Sequence, residues 1–281
     1  MQYYDDAREH IMYEGNVSDG GVKEGFGVFY WENGNKKYQG EFVQDQYCND
    51  GDVAAILFYE NGEKEYEGSF KDNQKNGQGV SYVVNENGEY HLVYKGNFEN
   101  DLPNGEGKFY YTKEQSVNPE LQKLADDNNE DPTSGLSVKY HGQVKDGIEA
   151  EMGTMFFASG KIMYEGIFVA GIWEGAGKQF YETEKLKYEG PFIAGKFDGS
   201  GGKLYYASGN LQYEGDFKDG VFCGDGNLYF ESGTKGYEGQ FVNQQPEGHG
   251  ILFDGKGNKK YEGDFIMGKF EGNGSLFSET G

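Results

Sequence analysis

Leu211-Gln-Tyr-Glu-Gly-Asp-Phe217 alternates residue by residue, with Tyr213, Gly215 and Phe217 on one side and Gln212, Glu214 and Asp216 on the other. A period of two marks a β-strand with one wet face. A turn follows at Gly220, and a second strand starts at Gly224-x-Gly226 and ends in aromatic residues. Glycine weakens a strand unless something needs the room, so neighbouring rings are expected to pack over bare backbone. The segment reads as a β-hairpin too small to be stable alone, which stacking on its neighbours would stabilise.

The same hairpin recurs. The Tyr-x-Gly step appears at Tyr13, Tyr38, Tyr66, Tyr94, Tyr140, Tyr164, Tyr188, Tyr213, Tyr237 and Tyr261, at spacings of 25, 28, 28, 46, 24, 24, 25, 24 and 24. The long step is one repeat plus an insertion. Four residues after each tyrosine comes Phe42, Phe70, Phe98, Phe168, Phe192, Phe217, Phe241 or Phe265, with Val17 and Val144 in the other two repeats. Seven after it comes a turn residue such as Gly147, Gly171, Asp45 or Asn73, types that accept a left-handed backbone at low cost. Eleven and thirteen after it comes Gly-x-Gly, as in Gly77/Gly79, Gly199/Gly201 and Gly248/Gly250, and a further ring lies three past the second glycine. A search for internal period decides the fold. The expectation is an all-β, elongated single-layer meander of about ten stacked hairpins. At two strands per repeat the advance is roughly 9–10 Å, so the array would reach on the order of 90–100 Å.

Tyr213-Glu-Gly-Asp-Phe-Lys-Asp-Gly-Val-Phe-Cys-Gly-Asp-Gly226 resembles the MORN repeat (membrane occupation and recognition nexus), and similar stretches cover nearly the whole chain. The usual tryptophan at the fifth position is phenylalanine here, and the period is 24 in place of 23. The resemblance implies an extended meander of two-stranded repeats. For function it implies a range: axonemal spoke-type assemblies, cytoskeletal scaffolds, membrane junctions, or side domains of lipid kinases and methyltransferases.

Composition narrows that range. The chain carries 47 glycines, 23 tyrosines and 21 phenylalanines in 281 residues, with a net charge of -23. The first 160 residues hold 30 acidic against 13 basic side chains, the remainder 18 against 12. Arg8 is the sole arginine. Nucleic acids and anionic membranes both demand a basic surface, so nucleic acid is excluded as an expected partner and membrane contact is disfavoured. Cys48 and Cys223 imply neither a disulfide framework nor a zinc site. The N-terminal residues form no signal peptide, and the longest apolar run, Ala54 to Tyr59, is too short to span a bilayer. A cytoplasmic setting is expected.

Three segments follow: repeats one to four over 1–112, an acidic insertion over 113–135, and repeats five to ten over 136–281. In the insertion, Asn118-Pro119-Glu120 fits a helix N-cap, proline at the first helical position and an acidic first turn. Leu121, Leu124 and Ala125 would share one face of that short helix. It reads either as a tolerated loop or as a docking peptide whose Leu121/Leu124 pair enters a partner groove.

No catalytic constellation emerges. Gly-x-Gly here lacks the strand-to-helix setting of a phosphate loop, and His10, His91, His141 and His249 have no ligand-spaced companions. No cofactor is expected. A glutamate follows the anchor tyrosine at Glu14, Glu67, Glu165, Glu189, Glu214, Glu238 and Glu262. Rungs about one Debye length apart repel only weakly, and Lys37, Lys139, Lys187 and Lys260 on the same face would partly neutralise them. The ladder is a solvated face or a recognition strip for a basic partner, carried by Glu165, Glu189, Glu214 and Glu238. The repeat closes at Gly281 with no cap, so open strand edges are expected to pair in a homodimer or capture another protein. The expected function is a non-catalytic structural or adaptor protein of a larger assembly, ciliary or otherwise cytoskeletal. The alternatives are a phospholipid-binding tether and the regulatory subunit of an enzyme supplied in trans.

Overall fold

The computed structural model describes residues 1–4, 10–49, 54–85, 88, 90–112, 115 and 136–278. Among these it contains 23 β-strands and no helix. The expected helix with Leu121 and Leu124 lies outside the described residues. Two compact units divide the chain, Met1–Ile148 with Ala158–Gly160 and Glu149–Phe157 with Lys161–Gly281. The boundary falls beyond the insertion that separates the sequence segments. In each unit successive strands pair antiparallel in chain order, giving an open meander.

In repeats two to ten the two residues at the first hairpin turn both have positive φ, as at Asp219 (51°) and Gly220 (86°) or Asn243 (49°) and Gln244 (66°). That geometry matches the right-handed twist of the flanking strands, which is why glycine, Asn and Asp dominate there. Beyond the turn the register shifts. Phe217 faces Phe222 and Asp216 faces Cys223, but Gly215 faces Gly226, so Gly224 and Asp225 are extra on the second strand. Gly224 absorbs this bulge with φ of 59°. In repeat five Glu151 takes that place at φ 51°.

The second glycine of each pair has a different reason to exist. Facing glycines form a row across the strands, as in Gly177 opposite Gly166 and Gly190, or Gly250 opposite Gly239 and Gly263. The anchor tyrosine lies flat over this row. A Cβ on Gly226 would stand 2.3 Å from the Tyr213 hydroxyl, and one on Gly215 would stand 2.7 Å from the Gly226 Cα. All ten anchor tyrosines are buried, none more than 4% exposed. Each hydroxyl donates to the carbonyl three residues on: Tyr38 to Glu41 at 2.9 Å, Tyr140 to Gln143 at 2.7 Å, Tyr213 to Asp216 at 3.1 Å. A buried phenol needs such a partner, and the register shift starts at that carbonyl's residue.

The phenylalanine column joins the repeats within each unit. Phe217 packs edge-on against Tyr188 at 5.2 Å and against Tyr213 at 5.1 Å, and Phe70 does the same between Tyr38 and Tyr66. Such pairs add about 0.5–1.5 kcal/mol beyond area burial. Val144 is buried in the same column, while Val17 in the first repeat is 44% exposed.

The structure corrects the reading of the glycine column in repeat seven, and it shows what stands in that place in repeat two, whose sequence has no clean Gly-x-Gly. In repeat seven Gly202 lies under Tyr188 and faces Gly215, whereas Gly201 has φ of 74° and open space around it. One residue is added at the bulge, which accounts for the 25-residue spacing. In repeat two Ala55, fully buried, replaces the glycine and stands against Gly40.

Gly226→Ala drives a methyl into the Tyr213 ring and is expected to cost roughly 1–3 kcal/mol. Tyr213→Phe keeps the ring, removes only the hydroxyl bond and should cost about 1 kcal/mol. Urea denaturation of the two variants is expected to rank them in that order.

Candidate functional surface

Rings and glycines occupy one side of the hairpins, so chemistry available to a partner lies elsewhere. A further column was not legible in the sequence. Nine residues after the anchor, Tyr47, Trp173, Phe197, Phe222 and Phe270 stack face to face on Tyr38, Tyr164, Tyr188, Tyr213 and Tyr261, with centroids 3.8 to 4.4 Å apart. Lys75 takes this place in repeat three, its ammonium 5.4 Å from the Tyr66 ring centre. Pro103 and Pro246 take it in repeats four and nine. Mixed chemistry hid the column. These stacked anchors thus lie between the glycine row and a covering ring.

The glutamate ladder is half-buried at Glu165, Glu189 and Glu214 and exposed at Glu238. Its cations are not those expected from the residue before the tyrosine. Lys178 reaches Glu189 at 3.2 Å and Lys203 reaches Glu214 at 3.2 Å, each from the facing strand. Lys235 reaches Glu238 at 2.8 Å and Lys259 reaches Glu262 at 2.9 Å, each from three residues before. Glu165 has no ion pair among the described residues. A second register shift explains the difference. Phe29 faces Tyr38 but Tyr30 faces Lys36, so Lys37 is the unpaired residue of a bulge. Its ammonium lies 4.2 Å from the Trp31 ring centre instead. Exposed pairs of this kind contribute about 0–1 kcal/mol each, so the ladder is a charge pattern more than a source of stability.

That face is also less wet than alternation predicts. The ring three past the second glycine falls on it, and Tyr30 donates to Glu14 at 3.2 Å. Gly202 and Ala55 add Tyr205 and Phe58 to this column, both half-buried. At the first-turn ends of the second unit a short aliphatic row stands open. Val169 faces Ile172 across the turn, and Ile193 takes the place of Val169 in the next hairpin. They are 56%, 50% and 50% exposed.

Among the described residues no group of three His, Cys, Asp or Glu side chains could hold a metal ion. His141 meets Glu106 at 3.5 Å and His249 meets Asp264 at 3.4 Å, both on open surface. The Gly-x-Gly steps are bulge and ring-seat positions, not a phosphate cradle. No helix among the described residues is long and apolar enough to cross a membrane.

The MORN repeat profile matches residues 13–36, 66–82, 94–115, 213–235, 237–259 and 261–281, and the MORN repeat variant matches 52–72, 173–194 and 202–219. Together they cover well over half of the sequence. The chain belongs to the MORN-repeat family. No curated protein is a match for it. Two of the variant matches begin beside the irregular places described above, repeat two around Ala55 and repeat seven at Gly202, and the third begins at Trp173. MORN repeats are interaction modules without catalytic machinery of their own, and the surfaces that fit this role are the glutamate face and the turn ends.

Burial lifts the phenols of Tyr94, Tyr164 and Tyr237 to about 12, and raises those of Tyr38, Tyr66, Tyr188 and Tyr213 by the same cause. An unfolded tyrosine ionises near 10. Between the two values the unfolded chain has released protons that the MORN array still holds, so stability falls as pH rises. The stabilisation is fully present below pH of about 10 and lost as pH passes about 12. Phenolate absorbance and β-sheet circular dichroism are expected to change together in one steep alkaline transition.

Proposed function

We propose that this MORN-repeat chain is a non-catalytic structural or adaptor protein that docks other proteins within a larger assembly, in a ciliary, axonemal radial-spoke-like or other cytoskeletal setting of the cytoplasm. The observation that carries the reading is the exposed aliphatic row at Val169, Ile172 and Ile193, with Val242 and Ile266 exposed at the same first-turn place in later hairpins. Contiguous exposed apolar side chains rimmed by polar residues mark protein contact sites. The rim here is Lys196 paired to Asp219 at 3.1 Å. The net charge of -23 and single arginine favour a protein partner over an anionic bilayer. The core rings are all committed to stacking, so recognition falls to residues that the repeat itself does not need.

Ile172→Glu places a charge in the row at a site half open to water and should shift stability by no more than about 0.5 kcal/mol. Affinity purification of the tagged chain from its native cells, followed by cross-linking mass spectrometry, is expected to return stable partners cross-linked near Lys196. Loss of those partners in the Ile172→Glu variant, with unchanged circular dichroism, supports the proposal. A wild-type chain that sediments as a lone monomer with no co-purifying protein, or that floats with anionic vesicles, overturns it.

A further inference from the structure

The residue that opens the second turn of each repeat is a ring almost throughout. Trp31, Tyr59, Tyr181, Tyr206 and Phe230 share one backbone setting, each N–H donating to the carbonyl four residues on at 2.8 to 2.9 Å. Four of these side chains latch the next hairpin by a hydrogen bond. Trp31 Nε1 donates to the Phe58 carbonyl at 3.2 Å, Tyr59 to that of Tyr82 at 2.9 Å, Tyr181 to that of Tyr205 and Tyr206 to that of Tyr229, both at 2.8 Å. The lysine before the next anchor covers some of these rings: Lys37 stands 4.2 Å from the centre of Trp31, and Lys187 stands 5.8 Å from that of Tyr181. The row is therefore a set of aromatic seats, four of them with a hydrogen-bond acceptor at the far end and two with a cation above.

Asp254 holds the same backbone setting in repeat nine, with its N–H donating to Asn258 at 2.9 Å, but it brings no ring. Its carboxylate turns back on its own loop and accepts from the Lys256 and Asn258 N–H groups at 2.9 and 2.8 Å and from Asn258 Nδ2 at 3.1 Å. The seat is left as a recess of about 360 Å³ walled by Phe230, Leu252, Phe253 and Phe277, with Lys259 and Lys260 at its rim. Phe230 and Phe277 are 40% and 43% exposed. Lys259 is engaged by Glu262. Lys260 stands where Lys37 stands over Trp31, and its ammonium has neither an ion pair nor a ring beneath it among the described residues. Repeat three also lacks a ring at this point, with Asn85, but there the strands run two pairs further and Tyr90 stacks on Tyr82 at 4.9 Å. Among the described residues the recess at Asp254 has no such filling.

We propose that this recess is a docking site for an aromatic side chain of a partner protein, carried on a segment with a carboxylate beside the ring. The chain's own repeats define the occupant. An indole or phenol fits the equivalent seats and latches to a backbone carbonyl, and a cation over a ring face is attractive, more so when desolvated. The unpaired Lys260 selects for negative charge next to that ring, against the acidic character of the rest of the surface. The volume lies at the low end of the roughly 300–1,000 Å³ of ligand pockets, enough for one large side chain. The proposal deepens the docking function proposed above and rests on it for the partner being a protein.

The test uses the full chain and two small probes, N-acetyltryptophan with its free carboxylate and N-acetyltryptophan amide, followed by ligand-observed saturation-transfer NMR. The carboxylate is expected to bind in the millimolar range typical of a single anchored ring and several-fold more tightly than the amide. Lys260→Gln should bring the two probes to equal affinity. Asp254→Trp should fill the seat, abolish both signals and raise the thermal midpoint through the restored latch. Equal probe affinities in the wild-type chain, unchanged binding in a folded Asp254→Trp variant, or no binding of either probe overturns the proposal. Because Lys260 is exposed, the Lys260→Gln comparison stands even if Asp254→Trp does not fold. The probes report on the recess alone, so their failure leaves the aliphatic row at Ile172 untouched. Partner loss at that row in turn says nothing of probe binding.

Discussion

The structure depends on a tyrosine ring laid over backbone that has no side chains. A tyrosine lies flat on a β-sheet only where the residues beneath it leave room, and the glycine rows at Gly215/Gly226 and Gly239/Gly250 exist for that reason. Once the ring is down, its hydroxyl is buried and must find an acceptor. The carbonyl three residues on supplies it in every repeat, from Tyr13 to Asn16 through Tyr261 to Asp264. The bulge at the first glycine follows from the same arrangement, because the strands change register between Gly215 and Asp216. Two glycines two residues apart thus serve unlike ends. One bends the chain through a left-handed φ and the other makes room.

This geometry couples neighbours and little else. Phe192 touches Tyr164 and Tyr188, and Phe241 touches Tyr213 and Tyr237. Each ring therefore has partners one repeat before or in its own repeat. The first turns repeat the pattern in hydrogen bonds, with Gly220 N–H donating to the Phe197 carbonyl and Gly268 N–H to that of Pro246. Stability in such arrays is a sum of repeat and interface contributions. An irregular repeat is tolerated if it keeps the ring seated. Ala55 and the added residue before Gly202 are changes of that kind: the ring keeps its seat, and Tyr38 and Tyr188 stay fully buried.

The all-β meander was legible because Tyr, Phe and Gly each recur with nearly one chemistry per column. The column stacked on the anchors was not, since Trp173, Lys75 and Pro246 share a place but no residue type. Any side chain that can cover one face of a phenol serves there. The lysine partners of the glutamates were misassigned because strict alternation takes no account of bulges, and the register shift between Tyr30 and Lys36 carries Lys37 onto a ring. The same shortfall hid Phe58 and Tyr205 and overstated how wet the glutamate face is. Local pattern gives faces correctly up to the first bulge and must be recounted after it.

Function sits where the columns lapse. A position held to one residue type by the fold has no freedom to recognise anything, and this covers the anchors, their glycines and the phenylalanines between them. Val169 and Ile193 hold a place that is Lys or Glu in some repeats, such as Lys145, Lys218 and Glu99, and exposed aliphatic in others, such as Val43, Val242 and Ile266, so its apolar character is not a requirement of the hairpin. Asp254 departs in the opposite sense, putting a carboxylate where stacking would be served by a ring. Both places leave hydrophobic surface open. In a repeat protein the informative residues are those whose chemistry the repeat does not explain, and here they gather in the second unit, where the acidic excess is lowest.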